Sequence, residues 1–252
     1  MKHIPRKRFG QNFLQDQYII EQIIQCINPQ PDQTLLEIGP GLAALTKPLL
    51  DRLNHLDVIE LDRDIISFLR KNFTPEQLTI HEGDALKFDY SFANRNIRVI
   101  GNLPYNISTP LLFHLATFAN IQNMTFMLQK EVVDRICAKP NTSDYGKLSV
   151  MLQYKFKCRK LLDVPPESFF PAPKIDSAIV YLEPRTDYAW SQINETNLQK
   201  LVSQAFSQRR KTINNTLKGL ITNQQLAELN IDPQQRAENL SINDYLNLLK
   251  YL

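Results

Sequence analysis

Ile19, Ile20, Ile23, Ile24 and Ile27 recur three and four positions apart, the period that gathers side chains onto one helix face, and Pro29 closes the run. A first helix is expected before residue 29. Beyond it, short apolar runs alternate with helical patterns: "TLLEI" (34–38) as a buried strand, "LAALTKPLLDRL" (42–53) as a helix, "LDVIEL" (56–61) as a strand and "RDIISFLRKN" (63–72) as a helix. The alternation continues through strands at 78–80, 97–100 and 124–129 and helices at about 109–119 and 130–138. Strands separated by helices pair in parallel and carry helices on both faces, which predicts an α/β, Rossmann-like domain. After Pro184 the strand patterns cease, and "NLQKLVSQAF" and "INDYLNLLKYL" read as helices alone. The domains expected are therefore 1–184, Rossmann-like, and 185–252, all-helical.

Composition changes little in this picture. The 252 residues are 43% hydrophobic, enough for one full-sized core and a small second one. Twenty-nine Lys and Arg against 26 Asp and Glu leave a net charge of +3, too mild to name a partner. The placement says more: Arg6, Lys7 and Arg8 crowd the start, Lys155, Lys157, Arg159 and Lys160 fall in one segment, and Arg209, Arg210 and Lys211 interrupt a helical pattern. Cys26, Cys137 and Cys158 are odd in number and lack C-x-x-C spacing, so a reducing cytoplasm is expected, with neither disulfides nor zinc. Four scattered histidines suggest no metal site. The basic start runs into Gly10, Gln11 and Asn12 without the apolar core of a signal peptide, and no stretch reaches membrane-spanning length.

The chemistry begins at "EIGPGLAAL", where Gly39-x-Gly41-x-x-Ala44 follows a strand and opens a helix. That spacing allows a tight turn and a close backbone approach to a ligand, although a purely structural glycine turn would look the same. Glu60, near the end of the next strand, is placed where a carboxylate accepts hydrogen bonds from ribose hydroxyls. Together they favour a cofactor containing adenosine. Asp84, in "EGDAL", either accepts from an adenine amino group or caps a helix.

Nicotinamide dinucleotide and S-adenosylmethionine both suit this half-fold, and "GNLPYNIST" (101–109) separates them. Methyl transfer to an exocyclic amine is hard because the nitrogen lone pair is delocalised into the base, so acceptors must draw on its hydrogens. The Asn102 side-chain oxygen and the Leu103 carbonyl can be those acceptors, Pro104 stiffens the loop, and Tyr105 can stack on the base. Hydride transfer has no use for such a cluster.

The sequence here resembles the small-subunit rRNA adenine N6,N6-dimethyltransferases, the kasugamycin-sensitivity enzymes of bacteria. "RKRFGQNFL" (6–14), "EIGPGLAALT" (37–46), "VIELDRD" (58–64), "GNLPYNISTPLLFHL" (101–115), "VPPESFFPAPKIDSAIV" (164–180) and "AFSQRRKTINNTL" (205–217) carry the likeness across nearly the whole chain. The resemblance implies S-adenosylmethionine-dependent dimethylation of two adjacent adenines near the 3′ end of 16S rRNA, in an immature small ribosomal subunit, by a monomer. It also implies that Asn12 and Leu14 join Gly39, Glu60, Asp84 and Asn102 around the cofactor, and that Phe169 stacks on the target adenine opposite Tyr105. At Phe170 the resemblance leads one to expect a smaller polar residue in some members of that family. Arg6, Lys7, Arg8, Arg209, Arg210 and Lys211 are expected to form an RNA face. The alternatives are an assembly factor that keeps the fold without catalysis, and a nicotinamide-dependent oxidoreductase.

Overall fold

The computed structural model describes residues 12–104, 107–186 and 192–252. Helix α1 (Gln17–Ile27) forms where the isoleucine stripe predicts it, and all five isoleucines are buried. Asp16 starts it by accepting the Tyr18 and Ile19 N–H groups at 2.9 and 3.2 Å; Asn28 ends it in the left-handed conformation that Pro29 then prevents from returning to helix. Each buried isoleucine contributes about 1.5–3 kcal/mol, so the stripe more than any propensity holds the helix.

A seven-stranded sheet follows, built from β2 (Leu35–Ile38), β3 (Leu56–Glu60), β4 (Leu78–Glu82), β5 (Ile97–Asn102), β6 (Ile121–Gln129), β7 (Phe156–Val164) and β9 (Ser177–Pro184) in the order β4-β3-β2-β5-β6-β9-β7. The five strands β4, β3, β2, β5 and β6 pair in parallel, with α2 (Thr46–Leu50), α3 (Arg63–Asn72) and α4 (Ser108–Leu115) between them in the chain and α5 (Lys130–Cys137) directly after β6. The wholly parallel sheet inferred from alternation needs correcting: β9 runs antiparallel to β6, with Met124 opposite Leu182 and Gln129 opposite Ser177. A second sheet of two strands joins β1 (Phe13–Leu14) to β8 (Phe169–Phe170), antiparallel.

Helix α2 starts later than residue 42, and the reason is local. Gly41 and Ala43 have φ of +53° and +67°, which no right-handed helix accommodates, so regular structure waits until Thr46.

The chain forms two compact units: residues up to Val133 with Arg159–Pro184, and Asp134–Cys158 with residues from Arg185 on. A single cut after Pro184 therefore misplaces residues 134–158. That segment holds α6 (Lys147–Gln153) and belongs with the C-terminal helices because the Tyr145 ring meets Phe206 edge-on at 6.4 Å and Lys155 Nζ reaches Glu195 Oε2 at 2.9 Å. Within that second unit α7 (Glu195–Ala205), α8 (Ile213–Thr216), α9 (Asn223–Glu228) and α10 (Ile242–Leu248) bury Leu198, Leu201, Val202, Ile213, Leu226, Tyr245 and Leu248. "YGKLS", which superficially suggests a phosphate loop, is structural: Ser149 Oγ accepts the Gly146 N–H at 3.0 Å and donates to the Arg135 carbonyl at 2.5 Å.

Candidate functional site

In an open α/β sheet, ligands bind beyond the carboxyl ends of the strands, and β2, β3 and β5 end together on Ile38, Glu60 and Asn102. Gly39 has φ +66°, and its N–H donates to the Ile59 carbonyl at 2.9 Å, tying the glycine turn to β3. A β-carbon at Gly39 would be strained by that φ and would project into open space, the space a ligand can use.

Glu60 ends β3 beside this turn. Its Oε1 accepts the N–H groups of Leu61 and Asp62 at 2.7 and 2.8 Å. Burial pushes its pKa above the usual carboxylate range, although the backbone donors partly offset that rise. A carboxylate has about four lone-pair sites, so acceptor capacity remains for ribose hydroxyls. Asp84 keeps both of its predicted possibilities: Oδ1 accepts the Leu86 N–H at 3.0 Å to fix a turn, leaving Oδ2 for a ligand.

Asn102 is the last residue of β5, opposite Met127 in β6, so the strand runs two residues further than 97–100. The ladder continues past it, because the Leu103 N–H donates to the Met127 carbonyl at 3.2 Å. Pairing with β6 therefore fixes the backbone that carries the amide and the Leu103 carbonyl, directly after Gly101, which is paired on both sides. Gly101 makes this possible: a β-carbon there would lie 2.6 Å from the Ile38 carbonyl oxygen and 3.2 Å from Leu103 Cδ2. Gly101 is a positioning residue beside the cavity that sequence reasoning passed over.

The two-stranded sheet supplies the rest. Leu14 lies opposite Phe169 and Phe13 opposite Phe170, while the Ser168 carbonyl accepts the Gln15 and Asp16 N–H groups at 2.9 and 3.3 Å. Residues 13–16, which follow the basic start of the chain, are thus tied to Ser168 and the first two residues of "FFPAP". Phe169 is 6% exposed. Asn12, Leu14, Gly39, Glu60, Asp84, Asn102, Leu103 and Phe169 all line one cavity of about 680 Å³, within the range usual for small-ligand sites. Tyr105, Arg6, Lys7 and Arg8 lie outside the described residues. Arg209, Arg210 and Lys211 occupy the turn between α7 and α8 and not a helix, and Arg209 is engaged there, donating to the Ser143 carbonyl and standing 3.6 Å from Glu238.

Glu37 is a second residue overlooked. It lines the cavity, is buried within β2, and accepts the Thr46 hydroxyl at 2.7 Å. Burial raises its pKa from the ordinary 4.5 to about 7, despite the Thr46 bond. An acid inside an otherwise apolar strand, directly before the glycine turn, is the signal that could have found it. Its folded pKa is raised, so its contribution to stability is fully present below pH 4.5 and is lost as pH rises through about 7. The loss amounts to about 3 kcal/mol. We expect Glu37→Gln, compared with wild type in denaturant titrations at pH 4.5 and 8, to lack that fall; parallel pH profiles for the two proteins would contradict it.

The sequence matches the ribosomal RNA adenine dimethylase family over residues 2–252. It is 56% identical to the ribosomal RNA small subunit methyltransferase A of Chromobacterium violaceum over 100% of this chain and 97% of that protein. The enzyme of that name from Laribacter hongkongensis is 54% identical over 98% of this chain and 95% of its own. Among solved structures, a dimethyladenosine transferase from Plasmodium falciparum superposes with a TM-score of 0.81 at 28% identity, covering 94% of this chain and 95% of that one. The 23S rRNA methyltransferase ErmE has the same fold, with a TM-score of 0.75 at 23% identity, covering 96% and 99%.

Proposed function

Because the chain belongs to the ribosomal RNA adenine dimethylase family, we propose that its cavity performs S-adenosylmethionine-dependent N6,N6-dimethylation with the residues set out above in specific roles. The protein is an rRNA adenine methyltransferase. The observation that carries the assignment of roles is that the glycine turn, two carboxylates and the Asn102 end of β5 open onto one cavity that Phe169 also lines. Bound S-adenosylmethionine supplies a methyl group made electrophilic by a positively charged sulfonium. Gly39 lets the backbone come close to it, Glu60 accepts from its ribose hydroxyls, Asp84 accepts from its adenine amino group, and Asn12 and Leu14 close the near side.

Asn102 Oδ1 and the Leu103 carbonyl accept the two N–H bonds of the target amine, turning its lone pair towards the methyl group. As the amine becomes positive, these fixed dipoles stabilise it, and because β5 already holds them they need no reorganisation. Phe169 and Tyr105 provide faces on which a base extruded from RNA replaces its lost stacking. The substrate is 16S rRNA within an immature small subunit, modified at two adjacent adenines near the 3′ end by a monomer in the cytoplasm.

Tritium-labelled S-adenosylmethionine tests the reading. Label should pass to the RNA of undermethylated small subunits. Tight cofactor binding without transfer would instead favour an assembly factor, and binding of a nicotinamide dinucleotide in its place an oxidoreductase.

Glu60→Ala should weaken S-adenosylmethionine binding about 10- to 150-fold by calorimetry, since hydrogen bonds to a charged acceptor contribute roughly 1.5–3 kcal/mol. Affinity equal to wild type in a folded variant would remove Glu60 from the site. On the RNA side, Arg6, Lys7, Arg8, Arg210 and Lys211 contact phosphates. Replacing Arg210 and Lys211 by Gln should lower the log–log salt slope of subunit binding by roughly 0.7 to 0.9 per lost contact without changing cofactor affinity. Arg209 differs, because it also ties down Ser143 and faces Glu238; its loss should lower thermal stability as well.

A further inference from the structure

Residues 169 and 170 are both phenylalanines, and β8 gives them opposite fates. Successive side chains in a strand point to opposite faces, so Phe169 turns inward at 6% exposed while Phe170 turns outward at 61%. A wholly apolar ring left that exposed gains nothing for the fold. Its backbone is nonetheless held: Phe170 lies opposite Phe13 in the β1–β8 pair, and the loop that follows is anchored where the Lys130 N–H meets the Asp176 carbonyl at 2.9 Å.

Residues paired across two strands project to the same face. Phe170 therefore shares its face with Phe13, a cavity-lining residue whose ring lies 3.5 Å from where a β-carbon on Gly41 would sit. Phe170 is itself outside the cavity lining, but its chain neighbour Phe169 and its cross-strand partner Phe13 both line it, so the exposed ring stands next to the cavity in the chain and across the ladder. Ile175, 43% exposed, and exposed Lys174 stand in the same loop, adding apolar surface and a positive charge. An exposed aromatic face in a segment that also carries an exposed cation has the two groups a nucleotide uses, a ring to stack on a base and an ammonium to meet a phosphate.

We infer that Phe170 stacks on a nucleobase flanking the target adenine, so that the inward ring holds the base to be methylated and the outward ring holds its neighbour in the strand. The inference rests on the functional reading above and adds to it a contact with unpaired RNA outside the pocket. Stacking on an aromatic side chain depends on a flat π-face and tolerates any base, so Phe170 sets affinity for the splayed strand more than choice of sequence.

The test uses the full chain with undermethylated small subunits as substrate. Phe170→Ala and Phe170→Leu should raise the KM for subunits about 5- to 150-fold, with kcat nearly unchanged and S-adenosylmethionine affinity equal to wild type. Phe170→Trp should keep the wild-type KM. If Leu serves as well as Phe, the contact is not stacking; if Ala weakens cofactor binding and subunit binding alike, the ring packs the site and does not read RNA; either result overturns the inference. A wild-type protein that transfers no methyl would bring down the functional reading as well, whereas an active wild type matched by Phe170→Ala would bring down this inference alone.

Discussion

Asn102→Ala is expected to slow single-turnover methyl transfer about 100- to 1,000-fold, the scale seen when one preorganised polar group facing a developing charge is removed. RNA binding should stay within about twofold. The asymmetry follows from where Asn102 stands. It is the last residue of β5, its backbone is fixed by the pairing opposite Met127, and it lines the cavity from the end of a paired strand. Such a group matters most as the amine nitrogen becomes positive, and little to the ground-state complex. A parallel fall in RNA binding and transfer would make Asn102 a strand cap and nothing more.

Gly101→Ala should affect both stability and catalysis. A β-carbon 2.6 Å from the Ile38 carbonyl cannot be absorbed by a flexible neighbour, since both atoms belong to paired strands in the middle of the sheet. Overpacking of this kind costs about 1–3 kcal/mol, and relief requires β5 to shift away from β2, taking Asn102 with it. The denaturant midpoint should fall and transfer should slow beyond what the loss of folded protein explains. Gly83→Ala is the control: it has open space around it, and its stability should change by less than about 0.5 kcal/mol. Equal midpoints for the two variants would refute the steric account.

Much of this site was legible because its signals are local. The isoleucine stripe, the glycine turn after an apolar strand, Glu60 at the end of the next strand and the amide after "RVIG" each announce themselves within a few residues. What escaped depends on partners distant in sequence. The two residues of β1 form a strand only because Phe169 and Phe170 complete it, and a dipeptide has no period to detect. The antiparallel course of β9 follows from its pairing with β6, which alternation between strands and helices does not encode. Gly101 carries no sequence signal of its role, since the Ile38 carbonyl that forbids a side chain comes from another strand. The helical tendency of "LAALTKPLLDRL" was overridden by the left-handed turn at Gly41 and Ala43, and residues 134–158 changed sides through contacts with the C-terminal helices.

The central claim is that Asn102 and Leu103 direct one amine, twice over, towards a sulfonium methyl. Its most direct test is a nucleoside digest of RNA from undermethylated small subunits after incubation with the protein and isotopically labelled S-adenosylmethionine, analysed by mass spectrometry. The account predicts labelled N6,N6-dimethyladenosine, appearing with wild type and nearly absent with Asn102→Ala at equal RNA occupancy. Label confined to ribose methyls or to other bases, or dimethyladenosine formed equally well by Asn102→Ala, would contradict it.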